Sequence, residues 1–452
     1  MRFRFTVLAL AAACVAAAQT KAPPPNAKDI VVPSRPAVPA GGLDASKIQG
    51  TLTADQAVKI ALANQPTLES VRQAIISAEG RTKQVRSKLL PQLGVGGTYS
   101  SSRFMGNEPD RLQLNVPNGY GASATLTQLV FDANHSSDLV RQAKSLKSVA
   151  VHDFDRAKAD LSLQALNAYY LVGEAHHLVS VNESNVTNRD SQLDLARSRF
   201  TSGLGGADDV LTAQTAKGDA VIALVQARTT EDAAKVSLLQ TMGLDPQTPI
   251  TVGEDGAPEL KIDKFDEFIS QALEKRPEIL RAKANVDAAR YGAKAAKTTT
   301  TPTISSNISW SSNDPGFPNG GPGYGIGFML SVPLYDGNLQ AGVVQQANAA
   351  LKSAQSDLVT TQLQVRTDVS QAYLAVRGAE QQEQAALTNV ANAKESLRIA
   401  TGRYKSGLGL FLDIINAQAA LLSAETNAAT ATAEVFLQRA TLQRAGGLLI
   451  EP

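Results

Sequence analysis

The sequence predicts a mainly α-helical fold, duplicated within the chain, that also carries four strands of transmembrane β-barrel type. Three observations predict it. RFTSGLGGADDVLTAQ at residues 199–214 is answered by RYKSGLGLFLDIINAQ at 403–418, an offset of 204, and a doubled phrase points to a doubled structure. Prolines are absent from Asn118 to Asp245 and again from Leu334 to Glu451, while Ala, Gln, Leu, Val and Ser abound; such a composition suits long packed helices. Near these helical stretches lie short segments in which apolar or aromatic residues alternate with small or polar ones, the period of a strand with two unlike faces.

The chain of 452 residues opens as an export signal. Arg2 and Arg4 form a positive start, Phe5 to Val15 an apolar run, and Ala16-Ala17-Ala18 a small-residue cleavage site, which makes residues 1–18 a signal peptide. The apolar run is too short to span a bilayer as a helix. Cys14 is the only cysteine and lies inside it, so cleavage leaves a mature chain with neither disulfides nor cysteine metal sites. A lipoprotein acylated at Cys14 is the rival reading, with Ala11-Ala12-Ala13 a poor match to its cleavage site. Residues 19–50, proline-rich between 22 and 42, read as a disordered lead-in. A formal net charge of +1 gives no reason to expect nucleic acid, which calls for a basic stripe.

The repeat reaches well beyond the opening phrase. LTQLVFDAN (126–134) answers LSVPLYDGN (330–338) at 204, whereas ALANQPTLESVRQA (61–74) answers ALEKRPEILRAKAN (272–285) at 211. The change of seven falls between Pro91 and Asp132, and the extra length is assigned to the second copy's loop NDPGFPNGGPG. A first repeat over 51–255 and a second over 256–447 follow, each in the order helix, strand, strand, long helix, tip, helix, with a short tail at 448–452.

Apolar residues from Leu139 through Ala143, Phe154, Leu161 and Val172 to Val179 recur at spacings of three and four, the 3.6-residue period of a straight amphipathic helix. From Ala133 to Thr201 such a helix would be roughly 100 Å long; its counterpart runs from Leu339 to Lys405. That length suits a pillar. The strand segments alternate Leu93, Val95, Tyr99 with Gly94, Gly96, Thr98; Tyr120, Ala122, Ala124, Leu126 with Gly121, Ser123, Thr125; Ile304, Ile308, Trp310 with Ser305, Asn307, Ser309; and Tyr324 to Leu334 with Gly323, Gly325, Gly327 and Ser331. A soluble sheet with one buried face yields the same alternation. In a barrel, Tyr99, Tyr120, Trp310 and Tyr324 sit where membrane-interface aromatics belong. Four strands cannot close a barrel alone, and open edges are not tolerated in lipid, so several chains must contribute. A trimeric adhesin-like stalk and a soluble periplasmic helical scaffold are the other two classes compatible with the pattern.

The duplicated strand-to-helix junctions and the paired tips, in this order and spacing, resemble the TolC-like outer-membrane efflux proteins over residues 50–446. The resemblance implies a homotrimer whose strands form one 12-stranded barrel in outer-membrane lipid above a long periplasmic α-helical tunnel. It also implies a passive exit duct for small molecules or peptides, docking to a periplasmic adaptor (membrane fusion) protein and an inner-membrane pump.

Ser202-Gly203 and Ser406-Gly407 are expected to stop the descending helices, since Gly tolerates the left-handed conformation that ends a helix. The resemblance makes Gly203, Leu204, Gly205, Gly407, Leu408 and Gly409 adaptor-contacting tips; ordinary helical-hairpin turns are the plainer alternative. It places Asp413 at the pore aperture, with Asn416 where a second acid often sits, although a carboxylate at a helix start is also favoured by the helix dipole alone. Tyr404 and Asp209 match a pair that clasps the aperture shut, and Gly409 stands where a further Arg clasp occurs, which implies a looser closed state. The histidines His135, His152, His176 and His177 lack zinc-protease spacing, no phosphate-binding loop is present, and neither a catalytic group nor a cofactor nor a metal site is expected.

Overall fold

The computed structural model describes residues 51–100, 119–253, 256, 265–314 and 323–449. The expected signal peptide, the lead-in, most of the second copy's Gly-rich loop and the end of the tail lie outside these residues. The chain runs β1 (Thr51–Leu52), α1 (Ala54–Asn64), α2 (Pro66–Ser87), β2 (Gln92–Ser100), β3 (Gly119–Phe131), α3 (His135–Thr201) and α4 (Ala207–Thr241). It then continues as β4 (Thr251–Val252), α5 (Phe265–Lys275), α6 (Pro277–Lys297), β5 (Thr303–Asp314), β6 (Gly323–Ser331), α7 (Leu339–Lys405) and α8 (Phe411–Ala445). The second run repeats the first element by element.

Each copy breaks its leading helix at a proline. Pro66 and Pro277 take the first position of α2 and α6, where a missing N–H costs nothing because that donor has no helical partner. Thr53 starts α1 with a capping box: its hydroxyl accepts from Gln56 N, and the Gln56 side chain accepts from Thr53 N.

The strands form one antiparallel sheet in the order β2-β3-β5-β6. The register puts Leu93 opposite Leu126, Leu126 opposite Ile308, and Ile308 opposite Ile326. Because side chains alternate, the apolar set of every strand lies on one face and the Gly, Ser and Thr set on the other. That apolar face is exposed: Val95, Tyr324, Ile326 and Phe328 are all at least 75% accessible in the single chain. The alternation expected to run to Leu334 ends at Ser331; Pro333 has no N–H to continue a ladder. The assignment of the seven extra residues to the second copy is also overturned. Residues 101–118 separate β2 from β3, while only 315–322 separate β5 from β6, so the first copy carries the longer connection.

Sheet passes into pillar at two matched junctions. Asp132 Oδ2 accepts from Ser136 N at 2.7 Å, and Asp336 Oδ2 from Gln340 N at 2.9 Å, which caps the free N–H groups of each long helix. Asn134 and Asn338 both adopt φ 69°, a conformation that asparagine tolerates better than most residues. Between them and the aspartates stand Ala133 at φ 52° and Gly337 at φ 63°.

α3 and α7 each have 67 residues. α3 lies against α4, against α2, and against α6 and α8 of the second copy. Its predicted stripe is buried at Ala143, Leu161, Ala165, Val172, Ala175 and Val179, although Leu146 is exposed. A core at mid-height gathers Leu52, Ala57, Ile60, Ala165, Tyr169, Leu238 and Met242. The Tyr169 hydroxyl there lies 2.8 Å from the Gly253 carbonyl and 3.2 Å from that of Leu52, beside the parallel pairing of β1 with β4.

Charge ties the two copies together nearby. Buried Arg276 meets Glu278 at 3.2 Å and Asp368 at 2.9 Å, while Arg444 meets Glu278 at 2.6 Å and Asp160 at 2.5 Å. Burial alone would raise the Glu278 carboxyl, but the hydrogen bond from Arg276 and the charges of Arg276 and Arg444 hold it down at about 2.

Two outcomes are expected here. A carboxylate depressed from 4.5 to about 2 contributes stability that is complete above the higher value and is lost as pH falls through the lower one, about 3 kcal/mol per chain in all. The unfolding midpoint should therefore fall between pH 4.5 and 2, and that part of the slope should vanish in Glu278→Gln. Ala133→Gly should raise the unfolding free energy by about 1 kcal/mol, read as a higher denaturant midpoint at unchanged slope, because Ala carries a steric cost at positive φ that Gly does not.

Candidate functional site at the helix tips

Both long helices end in the same way. Gly203 (φ 72°) and Gly407 (φ 75°) occupy the left-handed position. Leu204 N donates to Arg199 O and Leu408 N to Arg403 O, each at 2.9 Å, with Gly203 N and Gly407 N closing the inner bonds to Phe200 O and Tyr404 O. This is the Schellman arrangement that the Ser-Gly-Leu-Gly phrase calls for. A Cβ on Gly205 would stand 3.2 Å from Arg199 Cβ, and one on Gly409 3.0 Å from Arg403 Cβ, so each turn is folded back tightly against its own helix. Leu204 is 70% and Leu408 83% exposed. The two leucines project from the two ends instead of packing beneath them.

The tips are joined within the chain. Tyr404 O–H donates to Asp209 Oδ2 at 2.8 Å. Tyr404 is buried among Leu193, Ala196, Ala213, Phe411 and Ile414; burial first, and then the Asp209 carboxylate, push its phenol up to about 12. It therefore keeps its proton and its donor role throughout the ordinary pH range. Arg199, which the sequence reading passed over, donates to the carbonyls of Tyr404 and Lys405 and to Leu204 O at 3.1 Å. Its guanidinium also lies 4.6 Å from the Tyr404 ring centroid. A cation on the last carbonyls of a neighbouring helix satisfies acceptors that have no helical partner and opposes the negative end of the dipole.

One level up, a buried polar ladder crosses between the copies. Arg189 donates to Gln192 Oε1 at 3.2 Å, Gln192 Nε2 to Gln418 Oε1 at 3.1 Å, and Gln418 Nε2 to Asn185 Oδ1 at 3.1 Å. Leaving one such group unpaired would cost about 1–3 kcal/mol. The Ala-Gln that closes each repeated phrase was the available sequence signal, since Gln418 ends the second.

Asp413 sits in the first turn of α8, where its carboxylate accepts from Leu410 N at 3.1 Å. Asp413 and Asn416 are both exposed, three residues apart on one side of α8, while Phe411, Ile414, Ala417 and Gln418 are buried on the other. At the far end of the molecule, the Tyr99 and Tyr120 rings are 5.1 Å apart and Trp310 faces Tyr324 in register. All four aromatics share the apolar face, with Tyr120 level with Asp314 and Trp310 level with Ala124.

An amphipathic sheet with an exposed apolar face, standing on twin pillars with paired tips, defines a membrane channel subunit. A family model described as outer membrane efflux protein matches residues 57–244 and 268–448, and the chain belongs to that family: it is an outer-membrane exit duct for efflux or secretion. It is 25% identical over 403 residues to Protein CyaE of Bordetella pertussis, covering 87% of this chain and 84% of that one. To outer membrane protein TolC of Escherichia coli it is 25% identical over 388 residues, covering 82% and 77%. Among solved structures, the outer membrane protein VceC of Vibrio cholerae superposes with a TM-score of 0.76 at 19% identity, over 87% of this chain and 96% of that one.

Asp209→Ala and Tyr404→Phe each remove the same hydrogen bond. Each should therefore raise leak of large antibiotics through a strain expressing the variant by a similar factor, and the double variant should leak no more than either alone.

Proposed function

We propose that three copies of this chain close into a passive duct, with the four strands of each completing a 12-stranded barrel in the outer membrane and six long helices bounding a periplasmic tunnel. The observation that carries this reading is the continuous apolar face, in register over all four strands, on a sheet whose edges β2 and β6 are open within the chain. Lipid accepts the face but not the edges. Neighbouring copies supply the missing pairing.

The tips are the docking end. Exposed Leu204 and Leu408 on glycine-bounded turns offer a periplasmic adaptor two apolar contacts per chain, and the adaptor links the duct to an inner-membrane pump. Transport energy comes from those partners, and this chain performs no catalysis. Asp413 lines the aperture with Asn416 one turn behind it, and the Tyr404–Asp209 clasp holds the aperture narrow. The four sheet aromatics anchor the barrel at the membrane interface.

Mass in detergent, together with single-channel conductance in a planar bilayer, tests this. A trimer with cation-selective steps is expected, and Asp413→Asn should lower both the selectivity and the step size. A water-soluble monomer would refute the barrel, and anion selectivity unchanged by Asp413→Asn would refute the acidic aperture.

A further inference from the structure

Beside the mid-height core lies a cavity of about 330 Å³, walled by α3, α4, α8 and the strand β4. Tyr170 and Phe436 line it, with ring centroids 5.4 Å apart and planes inclined at 58°. Tyr169 stands edge-on to Tyr170 at 5.5 Å. Gly173, one turn farther along α3, also lines the cavity, and a Cβ built there would meet nothing within 4 Å. A glycine weakens a helix interior; here the missing side chain leaves room. The duplication does not carry the feature, since Tyr170, Gly173 and Glu174 are answered 204 residues on by Leu374, Arg377 and Gly378.

The charged groups of the cavity wall are unevenly paired. Glu231 Oε1 lies 2.9 Å from Lys235 Nζ and 3.1 Å from His176 Nδ1. Burial would raise the Glu231 carboxyl, but the hydrogen bonds and charges of Lys235 and His176 hold it below its ordinary value. Glu174 lines the same cavity and is half-buried, yet neither a hydrogen bond nor an ion pair reaches it from the described residues. With the imidazoles of His176 and His177 neutral, two carboxylates against one ammonium leave the wall one net negative charge. Lys235 is engaged by Glu231, so the wall keeps a free carboxylate and no free ammonium.

We propose that this cavity binds a small organic cation with an apolar or aromatic body, its charge beside Glu174 and against the rings of Tyr170 and Phe436. A cation within about 6 Å of a ring face is attracted by the ring quadrupole, and a carboxylate drawn partly out of water gains most from a counter-charge. An apolar hollow with a few convergent polar groups is the usual form of a small-molecule site. The wall residues all belong to one chain, so the site goes beyond the duct reading and stands whether or not three copies close.

Calorimetric titration of the full chain in phosphatidylcholine nanodiscs with benzyltriethylammonium tests the site, with benzoate as the anionic control. One saturable site per chain is expected for the cation and none for benzoate. Glu174→Gln should weaken binding roughly ten-fold, about 1.4 kcal/mol, and Phe436→Leu several-fold. Gly173→Leu places a side chain in the gap and should abolish binding. Leucine is the better helix former, so the Tm of that variant should not fall, and the cation should raise the Tm of the parent chain only. No binding to the parent chain, equal affinity for benzoate, or an affinity unchanged by Glu174→Gln or by Gly173→Leu would overturn the site. A monomer in detergent would overturn the trimeric reading and leave the site standing.

Discussion

Hydrocarbon offers no hydrogen bonds, so every backbone N–H and C=O placed in it must find a partner in protein. The rest of this structure follows from that constraint. A sheet in the order β2-β3-β5-β6 satisfies its inner strands and leaves the outer pair half-satisfied. The apolar face, in register across all four strands, commits the sheet to lipid, and the edges commit it to company. Once strands from several copies must meet, the helices hung from them must meet as well.

The fold was largely legible because its signals are local and repeated. A helix of 67 residues writes its period many times over, and the second copy confirms it independently. The bounds of α7, Leu339–Lys405, are those read from the sequence; α3 begins at His135 instead of Ala133 because Ala133 and Asn134 both take positive φ, outside the right-handed helical region. The tips were legible for the same reason: Ser-Gly-Leu-Gly encodes a Schellman turn within a few residues. The placement of the seven-residue difference was misread, since a shrinking offset means the earlier copy is the longer one.

Side-chain partners far apart in sequence were not legible in this way. Nothing near Arg199 announces that its guanidinium will reach Tyr404 and Lys405, and nothing near Glu278 announces Arg444. Those contacts depend on how one copy leans on the other, which is set by the packing of α3 against α6 and α8. The Tyr404–Asp209 pair was reached through family resemblance, and the geometry supplies its physical content: a buried phenol kept protonated, donating at 2.8 Å to a carboxylate at the positive end of α4.

The equality of α3 and α7 at 67 residues has a geometric consequence. Both pillars start from like junctions, with an aspartate cap and a left-handed asparagine. Adding one residue to either would lower its tip by about 1.5 Å and swing it by roughly a quarter turn. Length here acts as phase. Deletions within one pillar would have to be matched in the other for the tips to end level; a full turn removed from one alone would restore the facing but leave that tip about 5.4 Å short. The rim they form is in that sense a flange, and its flatness is stored in two residue counts that no single contact enforces.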